Sequence, residues 1–178
     1  FTASKQLPAL ADESKGSKFL AKLSKEFQVE INLLEKEIFS QAGENFNIAS
    51  PKQLGLILFE KLKLIEKPKK TKTGQYSTSE EVLSYLSKDH EIIDNILQWR
   101  SLQKLLNTYV EALPREINFE TKRVHTVYNQ AVASTGRLSS NKPNLQNIPV
   151  RTKRGQKIRK AFISRDNNHL IVAADYSQ

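Results

Sequence analysis

The chain has 178 residues, and its 28 Lys and Arg side chains outnumber its 19 Asp and Glu side chains. It contains no cysteine, which excludes disulfides and thiolate metal sites. No apolar run approaches the length that spans a bilayer, about 20 residues. The net charge of +9 favours a polyanionic partner, although a basic, solvated surface explains it equally well. The composition therefore predicts a cytoplasmic protein that has no membrane partner.

Helical periodicity dominates the first part of the chain. Apolar residues recur every three or four positions over 20–38, which places them on one helical face, and Gly43 supplies a stop. A coiled coil is the alternative interpretation, but the repeat is short, and a packed antiparallel helix is favoured. A second helix is predicted to begin at Pro51, because Ser50 can cap it and Gln53 can reach back to the cap.

Three further elements complete the helical part. Residues 67–74 contain four lysines and no apolar side chain, which predicts an exposed basic loop. Overlapping capping boxes at 77–81 predict the start of a short helix. A long helix with one apolar face is predicted over 90–113, and Pro114 ends it.

The residue pattern changes after Pro114. The segment 124–128 is rich in β-branched and aromatic residues, which predicts a strand. The segments 161–163 and 170–174 predict two more strands, joined by a turn at 165–168. We therefore predict an α+β fold that is mainly helical, in which an antiparallel helical part is followed by the first strands of a second part.

Positive charge is concentrated in two segments of the chain. One is the loop 67–74, and the other is 151–160, which holds six Lys and Arg residues and no acid. Such clusters can bind several phosphates, with an affinity that falls as the salt concentration rises. A solvated run of charges is the alternative interpretation for either segment taken alone.

A long polar segment covers residues 134–151. Its amide, hydroxyl and guanidinium groups are interrupted by short apolar anchors at Leu138, Leu145 and Ile148, which indicates a loop held in place to present donors. Arg, Asn and Gln suit the minor groove, where every base pair offers acceptors, and so suit a protein that holds DNA of any sequence. An ordinary surface loop is the alternative.

Asp175 is the most suggestive single acidic residue. It follows the apolar run 170–174, and a carboxylate at the end of a buried strand can bind Mg²⁺, which prefers oxygen ligands. Taken alone, it is better interpreted as an Asp that caps a turn. Because the chain begins with Phe1 and stops soon after this apolar run, we expect a fragment of a longer protein.

Three of these segments resemble the motifs of a known family. Residues 135–140, 143–151 and 175–178 are similar to consecutive motifs of family A DNA polymerases, in the bacterial branch of that family. The match over 134–151 is close to uninterrupted, which makes the resemblance specific. It extends over roughly residues 30–178.

The resemblance implies two domains and a set of DNA contacts. Residues 1–113 would form the helical thumb that grips duplex DNA, and residues 114–178 would begin an incomplete polymerase palm. The DNA-binding residues implied in this way are Lys70, Lys72, Arg100, Lys104, Asn107, Thr108, Arg137, Asn144, Gln146, Asn147 and Arg151.

The resemblance also implies the chemistry of a DNA-directed DNA polymerase. Asp175 would be the catalytic, metal-binding carboxylate, the backbone carbonyl of Tyr176 a second ligand, and two Mg²⁺ ions the cofactor of the complete enzyme. The expected partners are primer–template duplex DNA and, in the complete enzyme, deoxynucleoside triphosphates. We expect a nucleoid-associated monomer. Because one Asp cannot hold two ions, we expect the chain alone to be inactive.

Some positions depart from the family pattern, and other functions stay open. Leu106 stands where the family usually has a basic residue, and Phe119 and Lys122 occupy a turn that usually carries Pro and Gly. One alternative is a stand-alone, non-catalytic, basic helical DNA-binding module. Another is a single-subunit RNA polymerase, against which residues 176–178 speak because they resemble the DNA-synthesising branch.

Overall fold

The computed structural model describes residues 16–132, 134–164 and 166–172. Within them lie five α-helices and one two-stranded antiparallel sheet, which confirms the predicted α+β, mainly helical fold. The elements are α1 (Ser17–Ala42), α2 (Pro51–Leu56), α3 (Glu80–Leu86), α4 (Glu91–Leu105), β1 (Val127–Asn129), β2 (Ser139–Asn141) and α5 (Lys153–Arg159). None of the helices in this part of the chain is long and apolar enough to cross a membrane.

The chain divides into two compact units. One is Phe27–Lys104, and the other combines Phe1–Glu26 with Leu105–Gln178. In the first unit, Trp99 donates a hydrogen bond from Nε1 to Oε1 of Glu35 at 3.0 Å, and Asn95 donates from Nδ2 to Oε1 of Gln41 at 3.3 Å. Because the order of the partners is reversed along the two helices, this part of α1 and α4 are antiparallel, as predicted.

The predicted apolar faces form most of the core of the first unit, and Ile93, which was not predicted, adds to it. Burying one such side chain contributes about 1.5–3 kcal/mol relative to leaving it exposed. The side chains that are almost fully buried there are Phe27, Ile31, Ile38, Leu54, Leu58, Leu83, Ile93, Ile96 and Leu102. α1 ends before Gly43, which has a φ of +72°.

The start of α2 confirms most of the predicted cap. The Ser50 hydroxyl accepts from the backbone N–H of Gln53 at 3.4 Å, and Pro51 takes the first helical position. The prediction that the Gln53 side chain reaches back to Ser50 is wrong. The Ser50 N–H already donates to the carbonyl of Asn47 at 3.0 Å, and Oε1 of Gln53 accepts from the Asn47 N–H at 2.7 Å.

Two helices continue as π-helical turns. α2 runs on through Ile57–Lys61, and α4 runs on through Leu106–Val110. The long helix predicted over 90–113 is therefore right for its body but ends earlier, where the Glu111 N–H donates to the carbonyl of Leu106. Pro114 lies in a separate 3₁₀ helix, Leu113–Glu116.

The strand predictions are only partly confirmed. The first strand begins at Val127 rather than at Val124, which forms an isolated bridge with Ile117. β2 lies inside the segment predicted as a loop, and it pairs with β1 so that Val127 faces Asn141 and Tyr128 faces Ser140.

The two later strands are wrong in the described residues. Residues 161–163 follow the end of α5, where the Ala161 N–H donates to the carbonyl of Ile158 at 3.0 Å. Residues 170–172 form no strand, and Leu170 and Val172 are 88% and 85% exposed. A strand needs a partner for its backbone groups, and no described segment pairs with this one. Residues 173–174 lie outside the described part.

Candidate nucleic-acid interface

The predicted basic loop is a short hairpin, residues 69–77, which we call the basic hairpin. Lys70 and Tyr76 form an antiparallel bridge, and further main-chain hydrogen bonds of 2.7 and 2.9 Å close the hairpin on either side of it. Lys70 and Lys72 are both exposed, so the hairpin carries its positive charge on the surface.

Tyr76 fastens the basic hairpin to α2. Its ring lies 5.4 Å from the ring of Phe59, and a Cβ placed on Gly55 would come within 2.8 Å of the Tyr76 Cβ. Glycine is thus needed at position 55 for this close approach. The Lys70 Nζ lies 5.0 Å from the centre of the same ring. Burial, and after it the neighbouring Glu60 carboxylate, raises the pKa of Tyr76.

Arg100 and Lys104 lie one turn apart on α4, and their surroundings differ. The Lys104 side chain is exposed. Arg100 is half-buried and donates from Nη1 to the carbonyl of Thr78 at 2.6 Å and from Nη2 to Oγ1 of Thr78 at 3.3 Å. Burial lowers the pKa of Arg100, and the Glu80 carboxylate opposes part of that shift. Arg100 is therefore bonded to the chain itself, next to the end of the basic hairpin.

Asn107 and Thr108 occupy the π-helical turn that follows α4. Both are exposed, whereas Leu106 is only 2% exposed. At the position where the family usually has a basic residue, this chain therefore has a core side chain. The two polar residues after it face solvent.

The turn that departs from the family pattern closes without Pro or Gly. Oδ1 of Asn118 accepts from the backbone N–H groups of Glu120 and Thr121, each at 2.9 Å. Lys122 adopts a φ of +56°, and its Nζ lies 4.1 Å from the centre of the exposed Phe119 ring. The Asn118 side chain thus supplies the turn geometry.

Two buried hydroxyl groups organise the predicted donor segment, residues 134–151, which we call the polar loop. Thr126 Oγ1 and Ser140 Oγ share a hydrogen bond of 2.6 Å, and Ser140 is 1% exposed. Thr126 Oγ1 also donates to the carbonyl of Pro143 at 2.8 Å, and the Leu145 N–H donates to Ser140 Oγ at 3.1 Å. The chain is thereby folded back onto β2 through polar groups.

Gln146 and Asn144 contribute to the same network. Nε2 of Gln146 donates to the carbonyl of Leu138 at 2.9 Å, and its Oε1 accepts from the Ser140 N–H at 3.1 Å. Oδ1 of Asn144 accepts from the Gln146 N–H at 3.0 Å. The side-chain amide of Gln146 therefore holds the polar loop in shape through two hydrogen bonds to its main chain, one donated and one accepted.

The polar loop contains five of the residues that the sequence singled out. Each of them is exposed, including the two whose side chains also bond within the loop. They are Arg137, Asn144, Gln146, Asn147 and Arg151.

The polar loop is fixed at its far end by α5. Thr152 caps this helix by accepting the Gly155 N–H at 3.1 Å. A Cβ placed on Gly155 would come within 2.6 Å of the Pro149 Cβ and within 2.9 Å of its carbonyl carbon. Ile148, the residue before Pro149, and Ile158 of α5 are both buried, at 5% and 0% exposure. Glycine at position 155 thus allows the main chain of the loop to lie directly against the helix.

α5 carries most of the second basic cluster. Lys157 Nζ lies 3.2 Å from Oε2 of Glu26, an exposed ion pair of a kind that contributes at most about 1 kcal/mol. The other exposed cationic residues of this segment are Arg151, Lys153, Arg159 and Lys160. The charge run is therefore a helix surface that α1 neutralises only in part.

Sequence reasoning missed the residues that hold these surfaces in place. Thr126 and Ser140 lie among similar polar and β-branched residues, and no spacing distinguishes them. Tyr76 gave no signal beyond being the aromatic residue nearest the basic loop. Gly155 did give one, because an isolated glycine in a run of helix-forming residues marks a close contact.

The predicted metal ligands, Asp175 and Tyr176, lie outside the described residues. Across 16–132, 134–164 and 166–172, no group of three or more His, Asp or Glu side chains could hold a metal ion. The assignment of a metal to Asp175 therefore still rests on the sequence.

The fold defines the class of protein to which this chain belongs. The structure is similar to "POL domain of Pol1 from M. smegmatis complex with DNA primer-template and dNTP", with a TM-score of 0.74 and 39% sequence identity. The match covers 87% of this chain and 26% of that one. The chain thus has the fold of part of a polymerase domain.

Sequence comparisons identify the family. The profile described as DNA polymerase family A matches residues 17–178. The chain is 53% identical to DNA polymerase I of Bacillus caldotenax over 163 residues, which are 91% of this chain and 18% of the relative. It is 52% identical to DNA polymerase I of Rhizobium leguminosarum over 178 residues, which are 97% of this chain and 17% of the relative. The chain belongs to DNA polymerase family A, as its motifs indicated, and spans less than a fifth of these relatives.

Proposed function

We propose that the chain is the part of a DNA-directed DNA polymerase that grips primer–template duplex DNA. One observation carries the proposal. In the stretch that resembles the family motifs, Thr126, Ser140 and Gln146 fix the polar loop from within, while Arg137 and Asn147 are exposed. A loop that is fixed by internal hydrogen bonds and exposes donor side chains on its surface suits the minor groove, because every base pair offers acceptors there.

The helical part supports the same function. The basic hairpin exposes Lys70 and Lys72, and Lys104, Asn107 and Thr108 are exposed farther along the chain. Side chains of these types bind phosphate oxygens, which fixes the position of a duplex without reading its sequence. We assign residues 1–113 to a thumb and residues 114–178 to the start of a palm.

In the complete polymerase, the primer 3′-hydroxyl attacks the α-phosphate of a deoxynucleoside triphosphate, and pyrophosphate leaves. Asp175 and the Tyr176 carbonyl are assigned to metal binding from the sequence, and Mg²⁺ suits these oxygen ligands. The described residues contribute the grip on DNA and no step of the chemistry. We further propose a monomer that acts on the nucleoid in the bacterial cytoplasm, since its relatives are bacterial polymerases.

Fluorescence anisotropy with a labelled primer–template duplex tests the proposal. The wild-type chain should bind, with an affinity that falls as salt rises. Arg137→Ala should weaken binding by about tenfold, the effect of losing one charge-assisted hydrogen bond. Arg115→Ala is the matched control, because it removes the same charge from an exposed position outside both the basic hairpin and the polar loop.

The outcomes separate specific from general attraction. Equal losses from Arg137→Ala and Arg115→Ala would show that binding follows net charge alone, and no binding at low salt would refute the proposed function. Circular dichroism of each variant controls for folding. The chain by itself should not extend the primer in the presence of Mg²⁺, and extension would show that the catalytic set is complete within these 178 residues.

A further inference from the structure

Arg100 lies where α4 meets the end of the basic hairpin. Its guanidinium donates to both acceptors of Thr78, the carbonyl at 2.6 Å and Oγ1 at 3.3 Å. Thr78 directly follows Ser77, whose N–H closes the hairpin by donating to the carbonyl of Lys69 at 2.9 Å. Thr78 is itself 7% exposed. The link therefore reaches a fixed point of the main chain, immediately after the last residue of the hairpin.

The positive charge of Arg100 also interacts with an acidic side chain of the protein itself. The Glu80 carboxylate interacts with it, at the first residue of α3. Ser79, between Thr78 and Glu80, caps α3 by accepting the Val82 N–H at 3.5 Å. One half-buried guanidinium thus connects α4 to the junction between the basic hairpin and α3.

We propose that Arg100 is a positioning residue that acts on DNA through the basic hairpin, rather than through a phosphate contact of its own. This rests on the proposed function of the chain. The hairpin is held at two points, by Tyr76 against Gly55 on α2 and by Thr78 on α4. With both points fixed, the exposed Lys70 and Lys72 are presented as a set, which lowers the ordering cost of binding a duplex.

Lysine cannot replace arginine in this role. A guanidinium is a planar fork that reaches two acceptors at once, whereas an ammonium is a compact charge on a flexible stem. A phosphate contact from position 100 would survive Arg100→Lys to a large extent, because the charge is kept. The pair of hydrogen bonds to the Thr78 carbonyl and hydroxyl would be lost in Arg100→Lys.

Hydrogen exchange without DNA tests the positioning role directly. The backbone N–H groups of Thr71, Gly74 and Ser77 donate within the hairpin and are its reporters. Arg100→Lys should accelerate their exchange by about tenfold while α2 and α4 keep wild-type protection. Lys88→Gln, at an exposed position two residues after the end of α3, is the control and should change nothing. Thr78→Val, which removes only the hydroxyl acceptor, should give a smaller acceleration in the same amides.

DNA binding completes the test. Arg100→Lys should weaken binding of the primer–template duplex about fivefold to tenfold, and should have no further effect in a Lys70→Gln, Lys72→Gln background. Unchanged exchange in the hairpin, loss of protection throughout α2 and α4, or an undiminished effect of Arg100→Lys in that background would each overturn the proposal. If the wild-type chain fails to bind DNA, the proposed function falls, and the exchange experiment still decides the positioning role.

Discussion

The basic hairpin and the polar loop both present cationic or amide side chains, yet different forces hold them. The basic hairpin is fixed by an aromatic ring packed on α2 and by one guanidinium. The polar loop is fixed by two buried hydroxyl groups and by the exposed Gln146 amide, and the buried Ile148 and Ile158 add apolar anchoring at its far end. Apolar packing tolerates small shifts, whereas a buried hydrogen-bond network loses stability steeply when one member is removed. The polar loop should therefore be the more sensitive of the two to single substitutions.

The largest expected effect follows from the glycine at each anchor. In Gly155→Ala the new Cβ would overlap the Pro149 main chain, so we expect a net loss of about 2 kcal/mol of unfolding free energy despite the better helix propensity of alanine. In Gly55→Ala the new Cβ meets the side chain of Tyr76 rather than main chain, and we expect a loss of about 1 kcal/mol. Urea denaturation measures both. A larger loss from Gly55→Ala would reverse the comparison.

A smaller effect is expected at two adjacent serines of β2. Ser140→Ala removes one hydrogen-bond partner of Thr126 and the acceptor of the Leu145 N–H, which should cost about 1.5 kcal/mol. Ser139→Ala is the control, because the Ser139 hydroxyl is buried and has no hydrogen-bond partner among the described residues. Its removal should change stability by less than about 0.5 kcal/mol. Equal effects in thermal unfolding would show that the network does not hold the loop.

The smallest effect concerns alkaline pH. Burial and then Glu60 raise the pKa of Tyr76 in the hairpin, and burial raises the pKa of Tyr128 in β1. The folded chain thus holds these protons more tightly, so the associated stability is present below the unfolded pKa of about 10 and is lost as pH rises through the folded pKa. Urea midpoints at about pH 9 and pH 11 should fall less in Tyr76→Phe and Tyr128→Phe than in wild type.

For the hairpin alone, Glu60→Gln should also reduce this alkaline loss, because it removes the carboxylate that raises the pKa of Tyr76. A stability that rises with pH over this interval, or a Glu60→Gln variant that behaves as wild type, would contradict the assignment. Tyr128 provides the internal comparison, since burial alone raises its pKa.

The sequence predicted the helical part well because its signals are local. The spacing of apolar residues in α1 and α4, and the caps at Ser50 and Ser79, follow from the helical period and from the donors that a helix start leaves unpaired. The sequence-based prediction failed for the strands, because a strand forms only where another segment of the chain pairs with it. Residues 161–163 have the composition of a strand. They directly follow α5, which begins after its cap Thr152 and ends with the cap Lys160, so their backbone leaves a helix and pairs with no described strand.

The sequence singled out the exposed residues of the candidate interface, whose binding of DNA stays a prediction, but it did not single out the residues that hold them in place. Arg137, Asn147 and Arg151 could be singled out because exposed donors and cations in a family motif are visible in one sequence. The pairing of Thr126 with Ser140 could not, since it joins residues 14 positions apart through the register of β1 and β2. Likewise, the residues next to Arg100 in the sequence do not show whether its side chain faces solvent or bonds to Thr78.

The contact between Gly155 and Pro149 constrains how this stretch of chain can vary. Any replacement of a glycine adds at least a Cβ, so no conservative substitution exists at position 155 while the main chain at position 149 stays in place. A stable variant at position 155 should need a second substitution between 149 and 155 that moves the polar loop away from α5. A mutational library of this region should therefore vary position 155 together with positions 149–154.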